Sequence, residues 1–362
     1  MITCDVAIVG GGLSGLYAAR LLRKASIDVV LIEAQAHLGG RIRTVDDKGQ
    51  PTEDGFDLGA SWYWPHIQPA IGGLIAELGL SSFTQNTDGD VLFERMSREP
   101  VHRFSGMGQE QASRRLIGGT ARLINALTCD IPADRLLLNR RVTVMTLMET
   151  GVNITCQPSE GRAETIMTRH VIAALPPRLL EATVAFIPAL ERSDASRWQE
   201  TPTWMAPHAK FFALYERPFW RDDGLSGTAQ SMVGPMVEIH DATTSSGKAA
   251  LMGFIGVPAA QRQLLNEKTL AKACVGQLGR LFGPLAAKPQ ATLLKDWATD
   301  PLTATEADVA AGGHITATNE SWVTGAWRKR LTLAGSETSS QEPGYLAGAI
   351  IAARRAVEDV CG

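Results

Sequence analysis

Apolar and polar positions alternate along the chain in a way that separates strands from helices early. A short β-branched run over residues 5–9 is followed by glycines from Gly10 to Gly15, and then by leucines and alanines at helical spacing over 16–24. This order predicts a buried strand, a tight turn and a helix. A second β-branched run over 29–32 ends at Glu33 and closes a βαβ unit of about thirty residues. Helical spacing returns over 71–80 and 119–127, with a polar stretch of few periodic signals between them. Strands are predicted over 136–147, 152–156 and 168–175, the last stopped by Pro176 and Pro177. Beyond Trp198 the pattern gives strands over 209–215 and 250–256 and a helix over 267–281, and an alanine-rich helix over 344–361 follows Pro343. There is no internal repeat and no low-complexity tract.

With 362 residues, 44% of them hydrophobic and 20% charged, the chain has the composition of an ordinary globular enzyme of one large or two modest domains. A formal net charge of -3 provides no basic field for a polyanion or an anionic membrane, which favours a small-molecule substrate and argues against nucleic acid. Cys4, Cys129, Cys156, Cys274 and Cys361 are scattered without a CxxC pair, so free thiols in a cytoplasmic protein are expected. The histidines form no HxxxH pair or carboxylate cluster, so no metal site is expected. No basic leader precedes the first apolar run, and the apolar stretch over 345–353 is far short of the roughly 20 residues a membrane helix needs.

Gly10, Gly12 and Gly15 stand in a GxGxxG pattern between the first strand and helix, with Glu33 at the tip of the second strand. The first glycine permits the tight turn, the second lets the backbone approach a pyrophosphate, and the third lets helix pack on sheet. The helix N-terminus faces the phosphates, and the acidic residue faces a ribose. The pattern predicts dinucleotide binding without separating FAD from NAD. Leu38-Gly39-Gly40-Arg41 adds glycines beside a guanidinium suited to a phosphate. The segment from Asp57 to Pro65, with Trp62 and Trp64, is too aromatic for a solvent loop and is expected to face a ligand or the core.

On these residues the chain resembles the flavin monoamine oxidase family, which includes polyamine and L-amino-acid oxidases, nearly end to end. Segments 6–22 and 29–44 resemble its FAD fingerprint, which implies cofactor contacts from Gly10, Gly12, Leu13, Ser14, Gly15, Glu33, Ala34, Gly40 and Arg41. Gly59, Ala60, Ser61 and Trp62 resemble the loop that passes the flavin ring, Gly118-Gly119-Thr120 the start of a helix re-entering the FAD domain, and Val142 the strand whose backbone meets the adenine. KFFALYERPFW, residues 210–220, resembles the substrate-domain strand whose lysine, here Lys210, holds a water near the flavin. Trp297 takes a family-like position near the flavin. Gly335, Ser336 and Glu337, with Gly344, Tyr345, Leu346 and Ala349, resemble the segment that binds ribityl, pyrophosphate and the flavin pyrimidine edge.

The resemblance implies an α/β fold, a Rossmann-type FAD-binding domain (glutathione-reductase-like) with an interleaved α+β substrate domain containing a mixed sheet. Because cofactor motifs lie at both ends of the chain, the FAD domain is expected over 1–72, 119–198 and 309–362, and the substrate domain over 73–118 and 199–308. Lys210 and Tyr345 are the expected catalytic residues, and a monomer or homodimer is expected. Three departures matter. Where mitochondrial members carry the cysteine that bonds to flavin, this chain reads Ala311-Gly312-Gly313-His314, so non-covalent FAD is expected. Of the aromatic pair that encloses the amine, Tyr345 is kept and the other position falls to His314 or Ile315; His314 is the one histidine placed at the cofactor. The segment over 73–118 is also shorter, implying a reduced cap. Amine oxidation leads, while another flavin oxidoreductase acting on a reduced dinucleotide, amino acid or polyene, and a non-catalytic FAD-binding protein, stay open.

Overall fold

The computed structural model describes residues 2–106, 113–310 and 313–362. Its opening elements are strand β1 (Ile2–Val9), helix α1 (Leu13–Lys24) and strand β2 (Val29–Ile32). Both strands are buried on two faces at their inner ends, as parallel strands under covering layers must be. Alternation then sorts their side chains. Val6, Ile8, Val29 and Leu31 enter one core, while Ala7, Val9, Val30 and Ile32 enter another. The first core is closed by α1 and by the helices Pro69–Glu77, Ala121–Thr128 and Leu346–Cys361. Alanines 18, 19, 349, 353 and 356 let the first and last helices approach closely there.

Five parallel strands form the centre of the first sheet, in the order Leu136–Leu137, β2, β1, Glu164–Ala173 and Leu331–Leu333. The strands Gly151–Pro158 and Arg140–Met148 extend it as an antiparallel meander beside Glu164–Ala173, and Ala185–Ile187 ends it. The strand expected over 136–147 is therefore two strands with different partners. Asn139, at φ 55, takes the left-handed conformation that asparagine tolerates and turns the chain between them. Pro176 and Pro177 stop the preceding strand as expected, and Pro177 opens the short helix Pro177–Thr183.

The second sheet has seven strands in the order Ala291–Asp296, Ala209–Tyr215, Ala249–Ile255, Met236–Asp241, Leu225–Ser231, Asp90–Glu94 and His102–Phe104. It is mixed, because Leu225–Ser231 runs parallel to Asp90–Glu94 while its other pairs are antiparallel. Ala209–Tyr215 is buried throughout. Its odd residues pack under the helix Glu267–Phe282, whereas Phe212 and Leu214 pack against Val45, Phe56 and Leu58. Lys210 has the parity of Phe212 and Leu214, so the period of two aims it at the segment following the first βαβ unit.

Candidate functional site

The three motif glycines are glycines for two different reasons. At Gly10, with φ 106, a Cβ would lie 2.7 Å from the Ala174 carbonyl oxygen. At Gly15 it would lie 2.0 Å from the Gly10 carbonyl oxygen, so neither position admits a side chain within the protein. A Cβ at Gly12 would meet only the Gly39 carbonyl oxygen, at 3.9 Å, and would otherwise project into an open cavity that Gly12 lines. Protein packing thus demands glycine at 10 and 15, while free space above the helix N-terminus is preserved at 12. Glu33, buried at the end of β2, accepts the Gly11 N–H at 2.7 Å and the Gln35 N–H at 2.8 Å. A bare amide turn, a helix N-terminus and a fixed carboxylate fit the pyrophosphate and ribose of a dinucleotide.

The cavity holds about 590 Å³ and continues from this turn to the second sheet. Of the residues expected at the cofactor, Gly10, Gly12, Leu13, Ser14, Glu33, Gly40 and Arg41 line its first part. Gly59, Ala60, Ser61, Trp62 and Trp297 line it further on, with Gly335, Ser336, Gly344, Tyr345, Leu346 and Ala349 from the C-terminal segment. Four expected residues are off its wall. Gly15 lies beneath the turn, Ala34 beside Glu33, and Val142 is buried in the second core opposite Cys156. Glu337 stands behind Arg41, whose Nη1 is 2.7 Å from Glu337 Oε1 and whose Nη2 donates to Ser336 Oγ at 3.1 Å.

Lys210 reaches the cavity from the other sheet. Its ammonium donates to the Gly59 carbonyl and, at 2.9 Å, to Ser61 Oγ, and lies 5.3 Å from the centres of the Trp62 and Phe254 rings. Burial pushes its pKa down to about 7; the Asp57 carboxylate opposes this and the Arg115 guanidinium adds to it. Asp57 is itself tied to Thr44 Oγ1 at 2.6 Å and to the Thr120 N–H at 2.9 Å, which holds the loop that Lys210 grips. Trp297 donates from Nε1 to the Leu58 carbonyl at 3.1 Å, and the Lys295 ammonium sits 4.3 Å from its ring centre.

The aromatic wall is built differently from the sequence expectation. Tyr345 stands 4.4 Å, centroid to centroid, from Trp204, which in turn stands 4.9 Å from His314. Met205, at φ 67, turns the chain so that Trp204 meets both. Trp204, His208, Glu238 and Phe254 line the cavity without having been singled out from the sequence. Trp204 and His208 are in the run just before Lys210, where proximity to a site residue was a usable signal. His208 is held toward its neutral form by burial and by the Arg262 charge. Ala311 and Gly312, part of the segment that lacks the flavin-bonding cysteine, lie outside the described residues.

Residues 101–361 match the family profile described as flavin containing amine oxidoreductase. The chain belongs to that family. Residues 8–78 match the NAD(P)-binding Rossmann-like domain. Among relatives, the chain is similar to flavin-containing amine oxidase B of Rattus norvegicus, 24% identical over 99% of this chain and 86% of that protein. Among solved structures it resembles a putrescine oxidase bound to putrescine, with TM-score 0.80, 20% identity and all of both chains covered. Cyclohexylamine oxidase from Brevibacterium oxydans gives TM-score 0.80 at 20% identity, covering 99% of this chain and 98% of that one. The family amine oxidase is accordingly a flavin-dependent oxidoreductase of amines, with the Rossmann-type α/β architecture expected. No helix among the described residues is long and apolar enough to cross a membrane.

Proposed function

We propose that this amine oxidase holds FAD without a covalent link along the cavity and oxidises a small amine at the end where Lys210 and Tyr345 stand. The observation that carries the reading is the continuity of one cavity from the open face of Gly12 to the buried ammonium of Lys210. When bound, FAD supplies the acceptor for the two electrons that convert an amine C–N bond to an imine, and oxygen takes them afterwards.

The chain's own residues supply position and electrostatics. Gly12 and Gly40 leave backbone exposed to phosphates, Arg41 offers a guanidinium steadied by Glu337 and Ser336, and Glu33 offers a carboxylate to ribose hydroxyls. Lys210 in its neutral form keeps two N–H groups for Gly59 and Ser61 and frees a lone pair for a water or a proton. Tyr345, Trp204 and Trp62 enclose the substrate end with aromatic faces, which attract an amine's cationic form and exclude bulk water. The two sheets support the domain division stated above, with the FAD domain over 1–72, 119–198 and 309–362 and the substrate domain over 73–118 and 199–308. We read the protein as cytoplasmic and as a monomer or homodimer.

The test is anaerobic bleaching of the bound flavin's absorbance by a panel of amines and, in parallel, by dihydronicotinamides. Bleaching by amines is expected. Bleaching by dihydronicotinamides alone would overturn the substrate class, and none by either would overturn the enzyme.

A further inference from the structure

Three buried charges, Asp57, Lys210 and Arg115, stand around one small apolar cluster. The cluster joins Phe56 and Leu58, which flank Asp57, to Phe212 and Leu214 on the strand of Lys210 and to Ala242 just after Met236–Asp241. Arg115 comes from the strand Arg114–Leu116, where it pairs with Phe83, and its guanidinium carbon lies 5.3 Å from the centre of that ring. Its Nη1 donates to the Thr243 carbonyl at 2.9 Å and its Nη2 to the Ala242 carbonyl at 3.3 Å, which fixes the charge to backbone at the rim of the cluster. Asp57 Oδ1 accepts from the Thr44 and Thr120 hydroxyls and the Thr120 N–H, while Oδ2 is buried without a partner among the described residues. No two of the three charges are in ion-pair contact.

The other charges around them are matched locally. Asp241 accepts from the Arg221 guanidinium at 2.7 Å and from Trp220 Nε1 at 3.0 Å. On the strands beside Lys210, its register partner Lys295 lies 3.2 Å from Asp300, and Glu238, one strand beyond Phe254, lies 2.7 Å from His240. His208, two residues before Lys210, is held toward its neutral form. Two cations and one carboxylate therefore remain, facing one another through an apolar medium in which charges act beyond contact distance. Asp57 attracts both cations, and the Arg115 charge opposes that of Lys210. A guanidinium keeps its proton in proteins, whereas a desolvated lysine gives its proton up. One carboxylate does not hold both charges, and the proton that leaves is the lysine's.

Resting on the role read above for Lys210, we propose that Arg115 is a positioning residue of the reaction, its fixed charge holding Lys210 in the neutral, proton-accepting form. Neither Arg115 nor Asp57 lines the cavity, so both act through Lys210 and not on substrate or cofactor. Asp57 limits the bias that Arg115 imposes, so that the amine of Lys210 can still take up a proton near neutral pH.

The experiment follows turnover of one amine against pH in wild type, Arg115→Met, Arg115→Gln, Arg115→Lys and Asp57→Asn, and reads the inflection that Lys210→Met lacks. Arg115→Met, and Arg115→Gln with its amide donor kept for the carbonyls, should move that inflection from near 7 to about 8. Arg115→Lys restores a cation and should leave it near the wild-type position, and Asp57→Asn should move it lower. Urea midpoints supply a readout apart from activity. The rise in stability that starts near pH 7 in wild type should start only at about pH 8 in the two neutral Arg115 variants, because the native protein then keeps the lysine proton longer. Loss of hydrogen bonds alone would lower the midpoint at every pH and leave the inflection in place, and that result would overturn the role of Arg115. Should the neutral Arg115 variants not fold, Asp57→Asn decides, an unmoved inflection overturning the shared cluster. A wild-type profile with no inflection that Lys210→Met removes would overturn the reading of Lys210 itself, and the proposal with it.

Discussion

Arg41 and Glu337, from opposite ends of the chain, form an ion pair of 2.7 Å beside the cavity, and the Glu337 side chain is wholly buried. Removing only the guanidinium would strand a buried carboxylate, at a cost of about 3–5 kcal/mol. Arg41→Met should therefore lower the urea midpoint and weaken FAD binding. The double variant with Glu337→Gln should recover much of the stability, because no charge is left uncompensated, without recovering affinity for FAD. Urea unfolding and FAD titration of the apoprotein check the two effects separately. Parallel recovery of both would mean that Arg41 serves the fold and not the phosphates.

Gly12 and Gly15 should respond oppositely to the same added methyl group. At Gly15 the new carbon would fall 2.0 Å from the Gly10 carbonyl oxygen, so Gly15→Ala should yield little folded protein. At Gly12 it meets no protein atom closer than 3.9 Å. Gly12→Ala should fold with a near-native melting temperature as apoprotein and lose FAD affinity by tenfold or more. Circular dichroism with FAD titration of the apo form decides between them, and a Gly12→Ala protein that binds FAD normally would detach this turn from the cofactor.

The first βαβ unit was legible within a few residues because its signals are local: a β-branched run, glycines whose roles differ, and helical spacing over 16–24 against an observed Leu13–Lys24. The strand over Ala209–Tyr215 was read at its full length for the same reason. What escaped was set by distant partners. Met236–Asp241 has its alternation broken by the Val237 bulge, which Gly256 across the sheet makes room for. Leu225–Ser231 contains a glycine at φ 79 and little apolar content, and becomes a strand through its neighbours. Trp204 reaches Tyr345 only because Met205 adopts a left-handed turn, which nothing in its residue type announces.

FAD should leave the polypeptide on acid precipitation. Among the described residues, none that lines the cavity is a cysteine. Yellow supernatant with the absorbance of free FAD is the expected outcome. Flavin that stays with the precipitate through repeated washing would require a covalent bond to some other side chain.

Lys210 offers the sharpest test, because its burial has consequences for both pH and rate. Its pKa of about 7 lies well below the ordinary 10.5. Between those values the unfolded chain keeps a proton that the native protein has released, so this residue makes stability rise with pH across that window. Below it both states are protonated, and the full cost of a buried ammonium is present. Lys210→Met removes the charge together with the donors to Gly59 and Ser61, so its stability relative to wild type should be most favourable near pH 6 and fall as pH rises toward 9. FAD should still bind, since the phosphate and ribose contacts proposed for Gly12, Arg41 and Glu33 lie elsewhere along the cavity. Turnover should drop by tenfold or more, about 1.4 kcal/mol of transition-state stabilisation. In wild type the rate should rise with pH through an inflection near 7, as the lysine becomes able to accept a proton, and Lys210→Met should lack that inflection while keeping any that belongs to the substrate amine. Rate profiles and urea midpoints from pH 6 to 9 measure both, and superimposable profiles for the two proteins would leave Lys210 as a clasp on the Gly59–Ser61 loop with no part in the chemistry.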